Sequence, residues 1–202
     1  MSSSKKVLEI SYVGSLFGHN GHVSALTVGK DSNGKPLLVS GGRDKKVIVW
    51  KLNLDAPQDI LDEDGKPLEE KTVGKPFRSM SGHSHFVSCL AISNDSKFVV
   101  SGSWDKTLRL WDLNNIRTKA LLTGHEKDVL CCTFSSDNRK IISGSMDKSL
   151  RYWNINGDCK HISKDFNGWV SSLTLLRNEK SSQLAVGSWD QQVKILSLIH
   201  IS

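Results

Sequence analysis

Apolar and polar positions alternate along this chain in short runs that stop at turn residues. Phe98-Val99-Val100-Ser101-Gly102 and Thr107-Leu108-Arg109-Leu110-Trp111 are two such runs. β-Branched and aromatic residues at period two predict half-buried strands. Asn94-Asp95-Ser96 and Asp105-Lys106 supply turns, because short polar side chains bond nearby backbone amides. No stretch carries a helical period, so the pattern predicts an all-β chain.

The runs recur as longer units. Gly82-His83, Ser101-Gly102-Ser103-Trp104-Asp105 and Trp111-Asp112 return as Gly124-His125, Ser143-Gly144-Ser145-Met146-Asp147 and Trp153-Asn154. An earlier copy reads Gly18-His19, Ser40-Gly41-Gly42-Arg43-Asp44 and Trp50-Lys51. A fourth is partial: Gly187-Ser188-Trp189-Asp190 has no glycine-histidine pair before it and no tryptophan after it. The turn aspartates 105, 147 and 190 lie 42 and 43 residues apart. That period, with its GH and WD pairs, marks the blade of a WD-repeat β-propeller. At this period the 202 residues hold about four blades, the last unfinished.

Spacing inside the unit is stiffer than composition. Serine to aspartate is four residues and aspartate to tryptophan six in the first three copies; histidine to tryptophan is 31, 28 and 28. This predicts a structural hydrogen-bond network in each copy. Its members are His19, Ser40, Asp44 and Trp50; His83, Ser101, Asp105 and Trp111; and His125, Ser143, Asp147 and Trp153. A buried carboxylate is costly unless fully bonded, so all four residues are needed. A Ser/His/Asp set also suggests a nucleophile triad, but a hydrolase needs one such site, not one per blade. Trp104 and Trp189 occupy turns rather than the repeat's own WD pair, which makes them either packed loop residues or candidate partner contacts.

Charge is unevenly spread. Residues 1–52 carry eight Lys/Arg against three Asp/Glu, residues 53–77 three against seven, and residues 78–202 sixteen against eleven. The acidic stretch is an insertion, since Asp44 to Asp105 spans 61 residues; its middle is expected to be a mobile surface loop. The basic balance elsewhere fits either phosphate-backbone contact or an ordinary lysine-rich surface. Cys89 and Cys131 hold matching strand positions, as small core residues would, and Cys159 with His161 is too sparse for a zinc site. Neither a CxxC pair, a signal peptide, a membrane span nor a myristoylation glycine is present, which points to a cytosolic protein without a metal or cofactor.

Six residues after Asp190 the pattern demands tryptophan, but position 196 is leucine. Residues 196–202 look like translated sequencing adaptor and are expected to be non-native read-through.

Beyond the generic repeat, the wording is specific. Gly82-His83-Ser84-His85-Phe86-Val87-Ser88, the run from Ser101 to Leu113, Lys127-Asp128-Val129-Leu130 and Phe134-Ser135-Ser136-Asp137-Asn138-Arg139 resemble the receptor for activated C kinase family, G-protein-β-like WD-repeat scaffolds. The resemblance covers about residues 11–195. It implies a seven-bladed propeller on the small ribosomal subunit that docks protein kinases, protein kinase C among them, and regulates translation without being an enzyme. It also implies that the basic turn of the first blade, Arg43, Lys45 and Lys46, contacts ribosomal RNA, with Lys5 and Lys6 adding to the field. Residues 1–10 are then a tail, 11–17 the strand that completes the last blade, and 18–80, 81–123 and 124–166 three blades. Residues 167–195 form an incomplete fourth, where Asn167-Gly168 replaces the GH pair and Val186 the strand serine. The competing readings are a G-protein β subunit, which needs an N-terminal heptad helix that residues 1–17 do not encode, and a ubiquitin-ligase substrate receptor, which would usually carry an adaptor-binding domain.

Overall fold

A computed structural model describes residues 12–31, 33–55, 58–61, 65–115, 117–178 and 181–198. The residue-5 and residue-6 lysines, the acidic positions 62–64 and residues 199–202 lie outside these segments. Strands β1 (Val23–Lys30), β2 (Pro36–Gly42) and β3 (Lys46–Leu52) open the chain. A hairpin of β4 (Gln58–Leu61) and β5 (Pro67–Thr72) follows, and β6 (Gly74–Ser81) returns to the first sheet. The second sheet contains β7 (Val87–Ile92), β8 (Phe98–Ser103), β9 (Leu108–Asp112) and β10 (Arg117–Leu122). The third contains β11 (Val129–Phe134), β12 (Lys140–Ser145), β13 (Leu150–Asn154) and β14 (Cys159–Ser163). The fourth has three strands, β15 (Val170–Asn178), β16 (Ser181–Ser188) and β17 (Val193–Ser197).

Each sheet is an antiparallel meander, and the chain steps from the last strand of one sheet to the first of the next. This is the WD-repeat propeller architecture: the described residues form four successive blades, the fourth with three strands among them. The first strands β1, β7, β11 and β15 pack against one another in series. The middle strands are covered on both faces, which is why Val47-Ile48-Val49-Trp50 reads as a continuous apolar run rather than an alternation.

The core lies between sheets. Leu37, Val39, Val47, Val49 and Met80 of the first sheet meet Val87, Val99 and Trp111 of the second. Comparable clusters join the second to the third and the third to the fourth. One recurring position makes these seams tight. A Cβ on Gly102 would fall 2.7 Å from Val129 Cγ1 of the next sheet, and Gly41 and Gly144 meet Val87 and Val170 in the same way. A β-bulge sits beside each of these valines. The bulged Ser24 and Ser88 turn their hydroxyls across the seam to the carbonyls of Val87 and Val129.

Three stretches that the sequence singled out are placed as follows. The middle of the 53–77 insertion, at 62–64, lies outside the described residues, and strands stand on either side of it. Gly74–Phe77 begins β6, and the described residues before it pair as the β4–β5 hairpin, where Asp59 lies 3.6 Å from Lys71. The acidic composition hid a short ladder supported by a cross-strand ion pair. Residues 12–17 contribute no strand to the four sheets described here. Ser15 makes a parallel bridge to Thr72, because the hairpin leaves backbone groups of Lys71 and Val73 open to it. Finally, Leu196 and Ser197 belong to β17, pairing with Leu184 and Gln183, and Leu196 and Leu198 pack against the core of the last seam.

Candidate functional site

In each of the first three sheets, the loop before the first strand and the turn between the second and third strands meet at one end. There the structure brings together the histidine, serine, aspartate and tryptophan of each copy. His19 Nδ1 lies 2.8 Å from Asp44 Oδ2, its Nε2 2.7 Å from Ser40 Oγ, and Trp50 Nε1 donates to the same oxygen at 2.7 Å. The second copy repeats this with 2.8, 2.7 and 2.8 Å, and the third with 2.7, 2.8 and 2.8 Å. Donor chemistry orders the protons. Indole only donates, so the serine oxygen accepts from tryptophan; the carboxylate only accepts, so in the neutral imidazole Nδ1–H donates to it and Nε2 receives the serine hydrogen.

The aspartate does more than hold histidine. Its Oδ2 also accepts the amide after the histidine, from Asn20, Ser84 or Glu126, at 3.0 Å in every copy. Its Oδ1 accepts the amide two residues on, from Lys46, Thr107 or Ser149. Thr107 and Ser149 add their hydroxyls at 2.6 Å. These two network members are missed by reading the sequence as strand starts; the signal was a hydroxyl two residues after the turn aspartate. Burial alone would raise the Asp105 and Asp147 pKa values, but the bonds from histidine and from Thr107 or Ser149 outweigh it and hold both well below the usual carboxylate range. The carboxylates also steady an unusual backbone, since Lys45, Lys106 and Lys148 have φ of 67°, 70° and 64°.

The fourth copy departs as its sequence does. Asp190 accepts the Asn167 amide at 3.1 Å and the Gln192 amide at 3.2 Å, and among the described residues it lacks the loop histidine, the strand serine and the next-strand tryptophan of the other copies. The three complete sets have the residue types of a hydrolase but not its access. Ser40, Ser101 and Ser143 are at most 2% exposed, and each hydroxyl is already engaged by an indole. Among the described residues no group of three or more His, Cys, Asp or Glu is placed to hold a metal ion. Cys131 and Cys132 are buried; the Cys89 contact and burial push the Cys132 thiol up, and burial pushes up Cys131.

What the same end offers to solvent is basic and aromatic. Arg43 and Lys45 project from the first turn, whereas Lys46 is half-buried and begins β3. The Arg43 guanidinium stands 5.3 Å from the Phe86 ring of the next sheet. Trp104 packs with Phe86 and His85, at centroid distances of 5.5 and 5.7 Å. Trp189 is 65% exposed and pairs with Trp169 at 4.3 Å. Phe86, His85 and Trp169 were not singled out from the sequence, because they come from the loops facing those turns.

A family model described as WD domain, G-beta repeat matches residues 10–51, 74–112 and 116–154. The chain is 45% identical over 192 residues to the small ribosomal subunit protein RACK1 of Caenorhabditis elegans, covering 94% of this chain and 56% of that protein. It is 45% identical over 196 residues to the small ribosomal subunit protein RACK1y of Oryza sativa subsp. japonica, covering 94% and 57%. It is 46% identical over 187 residues to MST50-interacting protein 11 of Pyricularia oryzae, covering 92% and 54%. The chain thus spans a little over half the length of these relatives.

Proposed function

The chain belongs to the WD domain, G-beta repeat family and groups within it with the RACK1 proteins, and on that premise we propose that it is a non-enzymatic scaffold of the cytoplasmic ribosome. In this reading it binds the small ribosomal subunit and docks signalling proteins such as protein kinase C, coupling them to translation. The observation that carries it is the turn Arg43-Asp44-Lys45. Two exposed cations flank an aspartate whose bonds to His19, Asn20 and Lys46 fix the turn. A held turn presents its charges with little ordering cost, and an arginine-lysine pair suits RNA phosphates. The relatives named as small ribosomal subunit proteins support the choice of partner. Lys46 contributes its charge from the edge of the same turn. Rigid co-localisation then raises the effective concentration of whatever the other surfaces hold.

Charge reversal tests this. Arg43→Asp with Lys45→Glu replaces two phosphate attractions by repulsions while leaving Asp44 and its network alone. The folded double variant should lose co-sedimentation with small ribosomal subunits at moderate salt, circular dichroism verifying its fold. Co-sedimentation equal to that of the unmodified protein would sink the assignment.

A further inference from the structure

The opposite end of the first two sheets holds a cleft of about 380 Å³. Its floor is apolar, made by Leu37, Val49, Met80 and Leu113. Its rim carries Lys30, Lys51, Arg78 and Lys97, with Phe77 between them. Lys51 Nζ lies 3.9 Å and Arg78 Cζ 4.3 Å from the Phe77 ring centroid, so the ring positions both cations.

The repeat serves as its own comparison. By strand register, Lys51 occupies the position of Asp112 in the second sheet and Asn154 in the third. Arg78, paired with Val49, occupies that of the buried Ala120, paired with Leu110. Only the first sheet places cations at both positions. Two acids, Asp31 and Asp95, also line the cleft, so four cations stand against two carboxylates. Asp31 accepts the amides of Asn33 and Lys35, and Asp95 accepts the Ser93 hydroxyl and the Lys97 amide. Lys97 Nζ also lies 3.8 Å from Asp95, but Lys30, Lys51 and Arg78 meet no carboxylate among the described residues.

We infer that this cleft is a docking site for a short acidic peptide segment of a partner protein, with one apolar side chain on the floor and flanking carboxylates on the cationic rim. A volume at the lower end of ligand-site sizes suits one anchoring side chain, and charge complementarity sets the sign of its neighbours. Nucleic acid fits less well: the floor offers no polar group to read a base edge, and the Phe77 ring is already engaged by two cations. The inference adds a second site to the scaffold reading and shares no residue with the Arg43–Lys45 turn. Strand connectivity puts the cleft at the other end of the sheet from that turn, so both can be occupied together.

The probe is a fluorescein-labelled peptide, Glu-Glu-Phe-Glu-Glu, followed by fluorescence anisotropy. It should bind saturably, weaken with added salt, and bind at least tenfold more weakly when glycine replaces its phenylalanine. Lys51→Asp with Arg78→Ala, which installs the residue types of the second sheet, should weaken it at least tenfold. Arg43→Asp with Lys45→Glu should leave it unchanged, so failure here and failure of the ribosomal reading are separate results. Undiminished binding to the folded Lys51/Arg78 variant overturns the proposal. If that variant does not fold, Lys30→Gln with Lys97→Gln changes only exposed rim residues, and undiminished binding there overturns it instead. Equal binding of the glycine peptide removes the apolar anchor and with it the proposed occupant. Tighter binding by poly(U) that displaces the peptide reassigns the cleft to nucleic acid.

Discussion

Removing one carboxylate from the third network should have a cost that can be worked out atom by atom. Asp147 accepts from His125 Nδ1 at 2.7 Å, from the Glu126 amide at 3.0 Å, and from the Ser149 amide and hydroxyl at 2.9 and 2.6 Å. Asp147→Ala leaves all four donors without it. Glu126 is exposed, so water replaces the lost partner there. His125 and Ser149 are 5% and 2% exposed, so theirs is not replaced freely. Each buried group left unsatisfied costs about 1–3 kcal/mol. The Ser149 hydroxyl, 3.4 Å from His125 Nδ1, can turn to accept from it and recover part of this. The net expectation is roughly 2–4 kcal/mol, or a urea midpoint lower by roughly 1–2 M for a typical slope. Asp190→Ala is the matched control. It removes a turn aspartate that accepts two backbone amides and no imidazole, and its shift should be clearly smaller. Equal shifts for the two variants, or an unmoved midpoint for Asp147→Ala, would refute the view that the histidine-serine-tryptophan bonds carry the stability.

The depressed pKa values of Asp105 and Asp147 set an acid limit. Their folded values lie below the ordinary unfolded value of about 4, so the unfolded chain binds protons first as pH falls. The stability they contribute is complete above about pH 4 and declines below it, towards the folded values; midpoints measured from pH 6 down to pH 2 should bend there, and Asp147→Asn should flatten the bend. At the seam, Gly102→Ala places a methyl group 2.5 Å from Cys89 Sγ and 2.7 Å from Val129 Cγ1. It should destabilise by about 1–3 kcal/mol, less in a Val129→Ala background, and a double-mutant cycle without coupling would contradict the packing.

The four-residue network was legible because its members keep fixed spacing through three copies and because each residue type has one natural bonding role. Val186 at the serine position and Leu196 at the tryptophan position told in advance that the fourth copy would be built differently. The aromatic pairs on the exposed end were half legible. Trp104 and Trp189 stand out in their turns, but Phe86 and Trp169 become their partners only when a loop from the same blade folds over. The β4–β5 hairpin was hidden by its acidic residues, which mask a period-two pattern only a few residues long. The Ser15–Thr72 bridge was hidden because a backbone pairing leaves no side-chain signature. The cationic cleft required register. Lys51 looks like an ordinary departure from a WD pair until Arg78 is placed across the strand from Val49, beside it.

The glycine-valine contact between sheets gives the chain a direction. Each blade offers a socket, at Gly41, Gly102 and Gly144, and the following blade supplies the plug, Val87, Val129 and Val170, each fully buried. Val23 stands at the plug position of the first blade and is 50% exposed, while among the described residues the socket at Gly187 meets only Ser172 of its own sheet. The two unmated halves are complementary and unlike. A further blade that uses this joint therefore adds head to tail, bringing a valine to Gly187 or a glycine to Val23, and repetition of the joint gives a ring if the rotation closes and an open helical array if it does not.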